Sequence, residues 1–391
     1  MERLGTGWKT VWFSQWEPGK KKQWAHDCYV SHFGDCTDIR GECHTGEDIS
    51  VVDKRLIPEH TLLVAGFPCQ SYSTAAPLSK AKGIEGEKGI LWWQIYNTIL
   101  AKHPAFCIFE NVDRLLKSPA KQRGRDFGIK LKCLDFFGYS AEWRVVNAAS
   151  YGAAQRRRRT FIFAYRNDTV YGNQANRMTA EDIILKDGFM QKAFPAVIDG
   201  EFASADLCDD IVSVSHTFAF AFENAGMMSN GKIVTVRVKE TDEGFIPLSS
   251  VLESDADEKY YITDEKTPKW VYLKGSKKIP RIAPDGREYM YSEGPVAFPD
   301  SLDKPGRTML TSESTVNRSS HAVEDPATGR IRILTPLEAE RLQGFDDNWT
   351  KNTVSGEMPE RMRYFCMGNA LVVPMISRMG KVLDSIVAEE P

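Results

Sequence analysis

Three short stretches carry residue types that could make and break a covalent bond. Cys69 stands in Gly66-Phe67-Pro68-Cys69-Gln70, directly after the apolar run Thr61-Leu62-Leu63-Val64-Ala65. Glu110 opens Glu110-Asn111-Val112, directly after a second apolar run from Ala105 to Phe109. In open α/β sheets ligands sit beyond the carboxyl ends of strands, so both groups are expected on one edge of one sheet. A thiolate and a carboxyl group there suit addition to an electron-poor heterocycle. The thiolate attacks carbon, and the acid supports the ring nitrogen that gains electron density. The third stretch is Gln155-Arg156-Arg157-Arg158-Arg159. Alternate residues of an extended segment share a face, so Gln155, Arg157 and Arg159 are expected to point one way. A guanidinium can bond a base carbonyl or a phosphate. Each group also has a plainer reading: a small buried thiol, a capping or ion-paired carboxylate, a solvated basic loop.

The elements that must hold these groups alternate through the first 165 or so residues. Strands are expected at Val11–Phe13, Thr61–Gly66, Ala105–Phe109, Trp143–Val146 and Thr160–Ala164. Helices are expected from Lys20 to Gly34, Ile90 to Ala101 and Arg125 to Phe137, with Gly34, His103-Pro104 and Gly138 as stops. Apolar strands separated by helices predict a mostly parallel sheet covered on both faces. After Arg166 the chain becomes rich in turns. Asn230-Gly231 before Lys232–Val238 predicts a hairpin, and Asp285-Gly286 another turn. Helical character returns at Pro336–Leu342 and Pro374–Val387.

The apolar and charged fractions, 42% and 26%, are those of a globular chain with a sizeable core. No apolar stretch is long enough to span a bilayer, and the start lacks signal-peptide regions, so a soluble, cytoplasmic protein is expected. The eight cysteines form no CxxC pair, and reduced thiols are expected. His26, Cys28, His32, Cys36, Cys43 and His44 match no familiar zinc spacing, and no metal is expected. The net charge of −3 does not exclude nucleic acid, because phosphate contacts need only a local patch. Two such patches exist: the run Arg156–Arg159, and the basic residues between Arg114 and Lys132.

The motifs, taken in order, resemble those of the DNA (cytosine-5) methyltransferases. The chain carries Pro68-Cys69-Gln70, Glu110-Asn111-Val112, Gln155 with Arg157 and Arg159, then Arg332-Ile333-Leu334-Thr335-Pro336 running on to Gly344-Phe345, and finally Gly368-Asn369-Ala370-Leu371. Five short matches in the right order are specific where one is not. The resemblance implies a doubly wound α/β, Rossmann-like sheet that uses S-adenosylmethionine, carrying a smaller β-rich target-recognition domain. It implies a catalytic domain over residues 1–166, target recognition over 167–355 and a returning segment over 356–391. Duplex DNA is the implied substrate, with the target cytosine flipped out of the stack. Cys69 would add to carbon 6, Glu110 would hold N3, and Arg159 with Arg157 would contact the base carbonyl and a phosphate. The segment Ser71–Gly89 resembles a loop that closes over DNA, with Lys80, Lys82 and Lys88 suited to phosphates. Gln70, Ser73 and Gln155 are implied DNA contacts. For the cofactor, Trp16 resembles an adenine-stacking aromatic. The family usually has an acid there for the ribose hydroxyls; Glu17 is the nearest acid, although strict alignment on the tryptophan would put Gln15 at that place. Asp48 and Ile49 resemble the adenine-reading pair, and Leu91, Asn369 and Leu371 the remaining wall.

The chain departs from the family in two places. The family opens with a strand and an FxGxG turn, and nothing before Val11 supplies them, so the chain is expected to begin inside the first βα unit. Asp346 stands where the family has proline. The leading expectation is a monomeric bacterial or phage modification enzyme, with a cognate restriction endonuclease as partner. The alternatives are a catalytically silent DNA-binding remnant and a tRNA-methylating relative.

Overall fold

The computed structural model describes residues 1, 4–67, 90–282 and 286–391. The chain divides into two compact units. The first comprises Met1–Tyr151, Arg158–Asp242 and Met375–Pro391, and the second Gly152–Arg157 with Glu243–Pro374. Residues 167–242 cluster with the first unit, because strand Ala225–Ser229 pairs with a strand of the main sheet and carries that sheet onward.

In the first unit helix α1 (Trp24–Phe33) ends at Gly34, whose φ of 79° suits glycine. Strand β1 (Leu62–Gly66) is followed by helix α2 (Ile90–Lys102), strand β2 (Phe106–Asn111), helix α3 (Arg125–Phe136), and strands β3 (Tyr139–Asn147) and β4 (Arg158–Arg166). The sheet has seven strands, in the order β1, β2, β4, β3, Ala225–Ser229, Lys232–Val236, Ala203–Asp206. Asn230 and Gly231, at φ 49° and 73°, form the hairpin turn that Asn-Gly predicts.

Two expectations are corrected. The sheet is not mostly parallel: β1 and β2 run parallel, and every other pairing in it is antiparallel. Parallel neighbours need a crossover of about a dozen residues or more, usually a helix. The link from β3 to β4 has a single 3-10 turn, Ala148–Tyr151, and no helix of that kind, so β4 returns antiparallel between β2 and β3. Val11–Phe13 is not a strand. Phe13 instead packs on α1, its ring 4.3 Å from that of Tyr29 and 5.5 Å from that of His26.

Burial explains why the middle of the sheet is rigid. Phe106, Phe109, Trp143 and Phe163 are buried in β2, β3 and β4, and Trp92 of α2 meets Phe67 and Phe109 edge-on. Fully burying one such ring stabilises by about 1.5–3 kcal/mol, so these strand ends are firm mounts.

The second unit has its own core, including Leu248, Met309, Leu334, Leu342, Tyr364 and Met367. It holds the hairpin Lys277–Ile282 with Glu288–Glu293, and helices Pro336–Gln343 and Glu360–Asn369. Among the described residues no helix is long and apolar enough to cross a membrane.

Candidate active site

In the first unit, Gly66 at the end of β1 is the register partner of Glu110 in β2. A Cβ built on Gly66 would lie 3.4 Å from Glu110 Oε2, so the carboxylate reaches back over the end of β1. Arg159, next to the first residue of β4, closes the group: its Nε lies 2.8 Å from Glu110 Oε1. Both side chains are mostly shielded, at 16% and 19% exposed, and a charge-assisted bond there is stronger than one in open water. Asn111 secures the next turn of chain. Its Nδ2 donates to Phe67 O at 2.6 Å in the interior, and its Oδ1 accepts from Val112 N at 2.9 Å. The Glu-Asn-Val segment thus grips the residue two before Cys69. Cys69 itself lies outside the described residues, as do Gln70, Ser73, Lys80, Lys82 and Lys88.

Gln155 and Arg157 do not join this group. They belong to the second unit and are 0% and 4% exposed. Gln155 Oε1 accepts from Met309 N at 3.0 Å, and its Nε2 donates to Leu342 O at 3.4 Å. Arg157 donates to Met309 O at 3.1 Å and to Gly368 O at 3.0 Å. The side chains of Gln155 and Arg157, expected at the DNA and at the base, are thus engaged within the second unit. Residues 155–157 precede the regular strand, so strict alternation does not govern them. Both side chains tie segments of the second unit together.

The later motifs are largely structural. Arg332, fully buried, donates to Asp325 Oδ2 at 2.6 Å and to both oxygens of Glu338 at 2.8 Å. Arg332 and the backbone amides of Ala327 and Thr328 hold Asp325. Burial pushes the Asp325 carboxyl up, but the Arg332 hydrogen bond and the others keep it below the ordinary carboxylate range. Thr335 and Glu338 form a capping box that starts helix Pro336–Gln343. Gly368 is needed for close approach, since a Cβ there would lie 2.4 Å from Thr311 N. None of these internal contacts was visible in the motif alone; only the Thr-Pro-x-Glu capping pattern signalled one.

The cofactor candidates Trp16, Glu17, Asp48, Ile49 and Leu91 lie in the first unit, and Asn369 and Leu371 in the second. Trp16 is 39% exposed, an indole available for stacking. Both carboxylate oxygens of Glu17 are shielded and have no hydrogen-bond partner among the described residues. Burial pushes this carboxyl above its ordinary range, against the pull of Lys20. An orphaned acceptor beside an available aromatic fits a ligand that brings hydroxyl donors, as a nucleoside does. Gln15 N donates to Thr45 O at 2.9 Å, tying this segment to the loop that leads to Asp48 and Ile49. Asp48 Oδ1 accepts from Ser50 N at 2.9 Å, and Leu91 packs on the main core.

A mixed α/β unit whose strand ends hold a carboxylate–guanidinium pair has the architecture of a Rossmann-like methyltransferase. A solved structure of DNMT2 from Spodoptera frugiperda shares the fold at TM-score 0.56, with 13% identity, covering 97% of this chain and 94% of that one. The model of the C-5 cytosine-specific DNA methylase family matches residues 2–385, and the chain belongs to that family. It is 45% identical over 384 residues to the type II methyltransferase M.Sau3AI of Staphylococcus aureus, covering 96% of this chain and 89% of that protein. It is 23% identical over 461 residues to the orphan methyltransferase M.SPRI of Bacillus phage SPR, covering 98% and 93%. The protein is a DNA (cytosine-5) methyltransferase and draws its methyl group from S-adenosylmethionine. The silent-remnant reading is not favoured.

Proposed function

We propose that the protein methylates cytosine within one short duplex sequence, as the protective half of a type II restriction–modification pair, through a covalent Cys69–cytosine adduct. The observation that supports the assignment of roles is the Glu110–Arg159 pair over the end of β1, the strand that precedes Cys69 in sequence. The Cys69 thiolate forms a bond to carbon 6 of the flipped base. The electron pair displaced from the ring double bond is accepted through N3, where Glu110 supplies and holds the proton. Arg159 orients Glu110 and offers its remaining donors to the base carbonyl. S-adenosylmethionine, when bound, would supply the methyl group for carbon 5, and Trp16 and Glu17 would hold its nucleoside end. Loss of the carbon-5 proton restores the double bond, and the thiolate leaves. Lys80, Lys82, Gln70 and Ser73 are assigned to DNA contacts, and the partner is an endonuclease that cuts the same sequence.

The test is bisulfite sequencing of host DNA after expression in a strain without cytosine methylation. Protected cytosines in one fixed context are expected. Cys69→Ser should remove all protection. Glu110→Gln should slow methylation by on the order of a hundredfold or more while the protein stays folded. Protection that survives Cys69→Ser would sink the covalent mechanism.

A further inference from the structure

The loop after α1 assembles three carboxylates around one imidazole, none of them among the residues assigned to chemistry. Asp38 is 95% buried by its 5% exposure, and one of its oxygens is used up: Oδ1 accepts from Arg40 N at 2.7 Å and from Glu42 N at 3.0 Å. The other, Oδ2, is shielded from solvent and accepts no hydrogen bond among the described residues. It stands 4.0 Å from His44 Nε2, and Glu42 Oε2 stands 3.3 Å from the same nitrogen. The far side of the ring is held by Glu47, whose Oε2 lies 3.2 Å from Nδ1. A neutral imidazole donates through one nitrogen and offers a lone pair at the other. With Nδ1–H given to Glu47, the Nε2 position faces the oxygens of Asp38 and Glu42, and either a proton on that nitrogen or a metal ion can join the three. A histidine ligand whose other nitrogen donates to a carboxylate is the usual outer arrangement of a metal site.

We propose that Asp38 Oδ2, Glu42 Oε2 and His44 Nε2 bind a zinc-class divalent cation. The three atoms lie within 4.8 Å of one another. Tetrahedral zinc, with bonds of about 2.0–2.2 Å, sets its ligands roughly 3.4 Å apart, so a modest inward turn of the exposed Glu42 side chain completes the set. An imidazole ligand favours zinc over magnesium or calcium. The cysteines nearby are not part of it: Cys43 Sγ donates to Asp35 Oδ2 at 3.0 Å, and Cys28 is buried in α1. The ion would pin the turn Asp38–His44, from which the chain runs on to Asp48 and Ile49. It is a structural clamp and takes no part in methyl transfer.

The test is calorimetric titration of the metal-stripped full chain with Zn2+, with Co2+ absorption as a report on geometry. One ion per chain is expected, with affinity at least ten times that for Mg2+ or Ca2+, and a rise in the melting temperature at saturating zinc. His44→Gln and Asp38→Asn should each weaken binding at least tenfold and abolish the rise. Cys43→Ser should leave both unchanged. His44→Gln replaces a part-exposed side chain, and its metal-free melt, matched to that of the parent, shows that it folds. No bound ion, or binding that survives His44→Gln but is lost in Cys43→Ser, overturns the proposal.

Discussion

At the scale of single residues, two arginines separated by one position do different work. Arg159 pairs with Glu110 in a part-shielded bond, whereas Arg157 is buried on two backbone carbonyls. Arg159→Lys keeps the charge but loses the fork. It is expected to cost about 1 kcal/mol or less of stability and to slow methylation by on the order of a hundredfold. Arg157→Lys cannot reach both carbonyls, and a loss of about 2–4 kcal/mol in urea melts is expected. A melt like the parent's, with methylation abolished, would return Arg157 to the DNA. The sequence placed the carboxyl of Glu110 and the guanidinium of Arg159 at strand ends, and the structure pairs them there. The sequence did not show side-chain directions. Gln155 and Arg157 turn inward because the chain there is irregular, and no local pattern encodes which carbonyls of residues 309, 342 and 368 await them.

At the scale of elements, the ion-paired start of helix Pro336–Gln343 makes a claim about pH. Asp325 is held below the ordinary carboxylate range, so its contribution to stability is present above the unfolded carboxylate value, near 4, and is lost as pH falls through the folded value. Arg332→Met leaves two buried carboxylates facing each other without their cation. A loss of about 3–5 kcal/mol at neutral pH is expected. The deficit should shrink as pH falls toward 4, because protonation now relieves the burial that the arginine had offset. Chemical melts of both proteins from pH 7 to 4 check this, and a constant deficit would mean that packing, not charge, is what the arginine supplies. Nearly every helix and strand of the first half was legible from apolar runs and glycine stops. Val11–Phe13 was not, because Phe13 packs on the side of α1 while Val11 stays exposed. Strand direction was not legible either: it depends on the short link between β3 and β4, and composition does not record which edge a returning strand joins.

At the scale of the molecule, charge and composition excluded little, while motif order carried the family. The division of the chain was hardest to read, since the segment Gly152–Arg157 sits with residues far ahead of it in sequence. Gly152 N donates to Gly244 O at 2.9 Å, Arg156 N to Gly306 O at 2.8 Å and Gly306 N to Ala154 O at 2.7 Å. Any exchange of the second unit inherits that arrangement. Exchanging residues 243–374 for those of a relative would strand six host residues among foreign carbonyls and amides. Such a chimera is expected to be insoluble or to melt well below either parent. One that also takes the relative's counterpart of residues 152–157 is expected to fold, as thermal melts of the two chimeras side by side would reveal. A swap of the second unit therefore takes two pieces of chain, and the smaller one lies inside what looks, in one dimension, like a continuous first unit.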